Sequence, residues 1–256
     1  MIIMNERKYA ERLLDNGEAS EGLSYSVTVL AKYLMPEGHD GSQIKEKLNE
    51  VISSRYPDIT QQKRKSIIAK SLKRAEKYPL SEIDAITITK PEIERINAIS
   101  SPTLNVHLLK KLAFTLLCLH KFESERKRTT ETWINFDYTL IFRIANITVN
   151  RQKRIVYLNE LIELRLIEAS KCMDDMRLKV LFAENGDPEI TVYNIDDAGK
   201  YFEEYCGKIY VHCERCSRLA RKTGYRMKYC PKCAKIIDRE KAVIRARKRL
   251  MVRKEN

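Results

Sequence analysis

The sequence predicts a mainly α-helical protein with small β-hairpins, and three observations lead there. Residues 1–80 repeat apolar side chains at helical spacing between turn residues. Residues 104–206 place three helix-like stretches ahead of two short β-branched runs. Residues 213–233 carry two CxxC pairs with little apolar content between them. The expected organisation is a helical domain over 1–90, a helix-and-hairpin domain over 91–206, and a basic four-cysteine module with a C-terminal helix over 207–256.

In the first region YAERLLDNG ends on Gly17, a usual helix stop. YSVTVLAKYLM sets Val27, Leu30 and Leu34 on one face and stops before PEGHDG. SQIKEKLNEVISSRY opens on Ser42 and repeats Ile44, Leu48, Val51 and Ile52. TQQKRKSIIAKSLKRAEKY opens on Thr60, with Ile67, Ile68, Leu72 and Ala75 together. Four short helices follow from this. Residues 81–103 read as a connector near a domain boundary. ITITK is short and β-branched, and Pro91 and Pro102 interrupt helices.

The middle region begins with LNVHLLKKLAFTLLCLHKF, a long apolar helix, followed by a polar loop at Glu123–Glu131. A second helix starts near Asp137. A third has Ile155, Leu158, Leu161 and Ile162 facing inward, and Asn150, Arg151, Gln152, Lys153 and Arg154 crowd its first turn. RLKVLFA and EITVYNI then read as two strands joined by ENGDP, where Asn-Gly signals a hairpin. DDAGKYFEEYC closes the region as a helix. Three helices and a hairpin in this order resemble the winged helix-turn-helix domains of bacterial and phage DNA-binding proteins, over about one hundred residues. The resemblance implies that Asn150, Arg151, Gln152, Lys153 and Arg154 meet DNA, with Arg177 and Lys179 near the wing. Against this, many winged helices bind proteins, and Asp174, Asp175, Glu184, Asp187 and Glu189 make the wing acidic.

The four cysteines are spaced Cys213-x2-Cys216-x13-Cys230-x2-Cys233. Two residues between thiols let both sulfurs reach one ion, and two such pairs complete a tetrahedral site. Zinc is the expected ion; iron fits the same ligands. The thirteen intervening residues suit one hairpin, LAR turning at Lys222–Thr223–Gly224 into YRMKY. A second knuckle that opens a helix resembles the treble-clef zinc modules of phage and mobile-element proteins, over about forty residues. His212 and Cys206 lie close enough in sequence to substitute as ligands. A four-thiolate shell leaves no open position for water, and Ser217–Tyr229 contains no His, Asp or Glu, so nuclease chemistry is not expected here.

Charge singles out the same module. Residues 207–256 hold 17 Lys and Arg against 4 Asp and Glu, while the first 206 residues balance, so the whole net charge of +13 lies at the C-terminus. A neutral body with a basic end implies a polyanion, most often nucleic acid and DNA first. Candidate contacts on the hairpin are Arg218, Arg221, Lys222, Arg226 and Lys228. On the helix they are Lys232, Lys235, Arg239, Arg245, Lys248 and Arg249. Tyr225 and Tyr229 either stack on bases or, the commoner role, pack the small metal core. The helix also carries an apolar stripe through Ile236 or Ile237, Val243 or Ile244, and Leu250 or Met251. It either packs on its own domain, the expected case, or pairs two copies in a homodimer.

No nucleotide loop, dinucleotide fingerprint, zincin motif or nucleophile elbow is present, and the four histidines are scattered, so no enzyme is expected. The longest apolar run, LAFTLLCL, is far short of the ~18 residues that span a bilayer, so no membrane partner is expected. Seven cysteines, four at metal spacing, do not read as a secreted disulfide framework. A cytoplasmic protein is expected, in the nucleoid or a host cell's cytoplasm. The whole layout resembles uncharacterised phage and prophage proteins with a winged-helix-like core and a C-terminal zinc module. Residues 27–80 resemble small helical domains that accompany primases in mobile elements. These resemblances imply a DNA-binding regulator or replication accessory factor. The alternatives are a phage factor that binds a host polymerase, helicase or defence protein, and an RNA binder.

Overall fold

A computed structural model describes residues 2–16, 22–37, 41–170, 177–216 and 218–252, with the backbone alone over 246–252. The chain divides into two compact units, Met1–Asp84 and Ala85–Asn256, and the four-cysteine module belongs to the second. Both are built mainly from helices, with small antiparallel strand pairs in the second. No helix among the described residues is long and apolar enough to cross a membrane.

The first unit holds helices α1 (Glu6–Asn16), α2 (Leu23–Leu34), α3 (Gly41–Arg55) and α4 (Gln61–Lys77). Their apolar stripes meet in one core of Tyr9, Leu13, Val27, Leu30, Leu48, Ile52 and Ile68. Thr60 caps α4, accepting from the Lys63 N–H as its position in the sequence anticipates. Glu6 is buried and pairs with Lys32 at 2.8 Å while also accepting from the Ser81 N–H at 2.9 Å. Gly17 lies outside the described residues.

The second unit begins with strand β1 (Ile86–Thr89) and helix α5 (Lys90–Asn97). Pro91 therefore opens a helix instead of interrupting one, because the first turn of a helix needs no N–H from it. The Glu92 carboxylate reaches back to the Thr89 N–H at 2.7 Å. Helix α6 (Val106–Lys127) is the centre of the unit, with Leu109, Leu112, Phe114, Leu116 and Leu117 fully buried. It continues five residues, Glu123–Lys127, into the segment expected as a loop. Glu123 pairs with Arg126 and Lys127, one turn on, and holds that end together.

Helix α7 (Tyr138–Ile144) is capped by Asp137, and α8 (Arg151–Glu163) by Asn150, whose side chain accepts from the Lys153 N–H at 2.9 Å. The inward face of α8 is Tyr157, Leu158 and Leu161, whereas Ile155 is 46% exposed and does not face the core. Strands β2 (Ile167–Ala169) and β3 (Leu178–Val180) follow and pair with each other, and Ile134 bridges to Leu178 on the other side.

The expected hairpin between 177–183 and 189–195 does not form. Strand β4 (Pro188–Val192) pairs with β1, Ile86 opposite Val192 and Ile88 opposite Ile190. The groups that a turn would use are taken by the β1–α5 junction. Thr89 Oγ1 donates to the Glu184 carbonyl, the Glu184 N–H donates to Glu92, and the Lys90 N–H donates to the Asp187 carbonyl. Helix α9 (Ala198–Tyr205) then packs on α6, with Phe202 against Phe114. Gly207, at φ +90°, ends it and launches the C-terminal module.

Candidate metal centre and nucleic-acid interface

The module consists of strands β5 (Tyr210–His212) and β6 (Leu219–Arg221) and helix α10 (Pro231–Val252). The expected hairpin of LAR with YRMKY is replaced by a pairing across the first knuckle, Tyr210 with Arg221 and His212 with Leu219. The Cys213–Cys216 turn itself reverses the chain, and the Cys213 N–H closes it on the Arg218 carbonyl at 3.0 Å. The segment 222–229 is therefore a loop that returns to the second knuckle. Cys230 precedes α10 and Cys233 lies in its first turn, where the helix N-terminus favours thiolate.

The sulfurs of Cys213, Cys216, Cys230 and Cys233 lie within 4.8 Å of one another, with Cys216 and Cys230 at 3.8 Å. A tetrahedral thiolate site with bonds of about 2.3 Å has sulfurs roughly 3.8 Å apart, so the four fit one ion. Burial pushes the thiols of Cys216 and Cys233 up, and neighbouring sulfurs add to it. At Cys213 burial acts in the same direction, but backbone N–H groups outweigh it and bring the thiol down to about 6. Four thiolates this close repel one another, so a cation is what lets them coexist. Neither Cys206 nor His212 joins the cluster; both are exposed.

The module docks on α9 through polar contacts. Asp197 accepts from the Leu219 N–H at 3.0 Å and from Lys200 at 2.6 Å, while Lys200 also donates to the Leu219 carbonyl. Tyr210 hydrogen-bonds Glu203, which is paired with the buried Lys111 at 2.6 Å. Glu203 is held down at about 2: burial raises it, and Lys111 and Tyr210 more than offset that. These anchors were not legible in the sequence, where Lys111 reads only as a charge inside an apolar helix.

Of the residues expected to meet nucleic acid, Arg221, Lys222, Arg226, Lys232, Lys235, Arg239 and Arg245 are exposed. Lys228 is exposed and pairs with Glu214 at 3.3 Å. Arg218 is turned inward, half-buried and 3.4 Å from Asp196. The side chains of Lys248 and Arg249 lie outside the described residues. On α8, Arg151, Gln152 and Lys153 are exposed, and Asn150 is used as the cap. Arg154 is drawn onto α7, donating to Thr139 at 2.8 Å and lying over the Phe142 ring. In the wing segment Lys179 pairs with Glu131 at 2.6 Å and Arg177 lies over Trp133. Asp174 and Asp175 lie outside the described residues.

Two packing expectations change. Tyr225 is 93% exposed and does not pack the metal core, while Tyr229 is half-buried. Among the described residues the apolar stripe of α10 is largely uncovered, with Ile236 42%, Val243 51% and Ile244 54% exposed and Ile237 half-buried. A 22-residue helix is about 33 Å long and outruns so small a module. Comparison with known protein families, curated proteins and solved structures finds no match.

Proposed function

We propose that this is a zinc-stapled nucleic-acid-binding protein that acts on DNA as a regulator or replication accessory factor, by binding and without catalysis. The observation that carries the reading is the uncompensated charge of the metal module. Of its described carboxylates, Glu214 and Glu240 are taken up by Lys228 and Arg215, and Asp238 is exposed. Arg221, Lys222, Arg226, Lys232, Lys235 and Arg239 face solvent. Such a surface neutralises phosphates and releases counterions. Four thiolates favour zinc, and their role is structural, since they complete its shell.

A second contact surface is α8. Helices α6, α7 and α8 followed by the β2–β3 pair, with Ile134 bridging to its free edge, support the winged-helix reading. In that reading the exposed Arg151, Gln152 and Lys153 face the major groove. The test is anisotropy of a labelled duplex across a potassium chloride series. Affinity is expected to fall steeply as salt rises; binding indifferent to salt, or none, contradicts the proposal. Metal analysis of the purified protein tests the zinc.

One observation favours a partner protein instead. Ile155 and Val156 are 46% and 49% exposed side by side on α8. A stoichiometric protein partner captured from nuclease-treated lysate, and lost in Val156→Asp, would support this second reading.

A further inference from the structure

The loop between β6 and α10 holds its most exposed aromatic ring where the fold makes no use of it. Tyr225 is 93% exposed, and its hydroxyl has no hydrogen-bond partner among the described residues. The loop around it is nevertheless tied down. The Lys222 N–H donates to the Ile209 carbonyl, the Met227 N–H to the Gly224 carbonyl, and the Glu214 N–H to the Lys228 carbonyl. The Lys222 ammonium stands 5.8 Å from the ring centroid, and Arg226, next to Tyr225 in the chain, and Arg221 are exposed.

We propose that Tyr225 is a stacking platform for an unpaired base, so that this loop takes a single strand of nucleic acid. The proposal rests on the nucleic-acid reading above and narrows it. In a duplex the faces of the bases are covered by their neighbours, and an exposed ring meets only groove edges or sugar. In a single strand each base offers a free face, and the phosphate next to it is within reach of a cation such as Lys222 beside the ring. Anchoring both ends of the loop lowers the entropy lost when the ring is immobilised. A protein hot spot is ringed by contacts that exclude water, whereas this ring has the Lys222 ammonium beside it and the exposed Arg226 next to it in the chain.

The test compares the full chain with Tyr225→Ala and Tyr225→Phe, using labelled oligothymidylate, oligouridylate and a duplex. A side chain this exposed is removed without disturbing the fold, and circular dichroism verifies it. The alanine variant is expected to lose about 5- to 150-fold in affinity for single strands. The phenylalanine variant should stay within about twofold of the parent, because stacking needs the ring and not the hydroxyl. Duplex affinity should be unchanged in both. A loss on both oligonucleotides, or on one of them, supports the proposal, and their comparison identifies the sugar. Unchanged single-strand binding in Tyr225→Ala overturns it, as does an equal loss on duplex; salt-dependent duplex binding by the parent then leaves the broader reading standing. Failure of the parent to bind any of the three overturns both.

Discussion

At Gly199 the fold leaves no room for a side chain: a Cβ there would lie 2.1 Å from the Ala145 carbonyl oxygen. Alanine normally stabilises a helix interior relative to glycine. Here it would push α9 away from the end of α7, and Gly199→Ala is expected to cost about 3 kcal/mol in urea unfolding; a neutral result would contradict the packing. Lys111 and Glu203 are 3% and 7% exposed and paired at 2.6 Å. Lys111→Ala takes from a buried carboxylate its closest cation, leaving Lys208 at 3.3 Å and Tyr210, and should cost about 3 kcal/mol by the same measurement. His120 is buried, and its pKa is pushed below the ordinary 6.5 first by burial and then by Lys179 and Lys121. A group whose pKa is lower in the folded chain contributes stability that is full above its unfolded value and fades as pH falls through its folded value. Stability should therefore decline from about pH 6.5 downward, and His120→Leu should make that slope shallower, leaving the part due to His107, which burial also pushes down. Capping residues such as Thr60 and Asp137 were legible in the sequence because a cap bonds within three residues, whereas Asn150 read as a DNA contact and is the cap of α8. Arg154 and Arg218 were not legible, because their partners Thr139 and Asp196 lie on other elements.

Helices were the legible elements, since their period is written along one stretch of chain. Strand partners were not, because pairing is decided by groups distant in sequence. ITIT looked like a connector and is the partner of β4, about one hundred residues on. The metal module shows the same division. The spacing of its cysteines was enough to bring four sulfurs together, yet its strands pair across the knuckle, a choice the residues of YRMKY do not reveal. The module has little apolar interior of its own, so its folding should depend on the ion. The core around α6 has Leu112, Phe114, Phe142 and Phe202 fully buried without it. Chelation is expected to lower helicity by circular dichroism while the emission of Trp133, the single tryptophan, stays as it was. Unchanged helicity would contradict the role of a metal staple, and a shifted Trp133 spectrum would show that the core depends on it too.

Across the whole molecule the distribution of charge says more than its total. The first 206 residues balance, and the excess of +13 rides on the module that the four cysteines hold together. The account makes the ion a frame and the cations around it the working surface. Its central claim is that the module's exposed cations carry binding to nucleic acid. The direct measurement is the slope of log affinity against log salt for the full chain and for the combined variant Arg221→Gln, Lys222→Gln, Arg226→Gln. The account predicts a steep slope for the parent and one shallower by about 1 for each phosphate contact removed, with the metal retained in both. Equal slopes and affinities for the two proteins would contradict it.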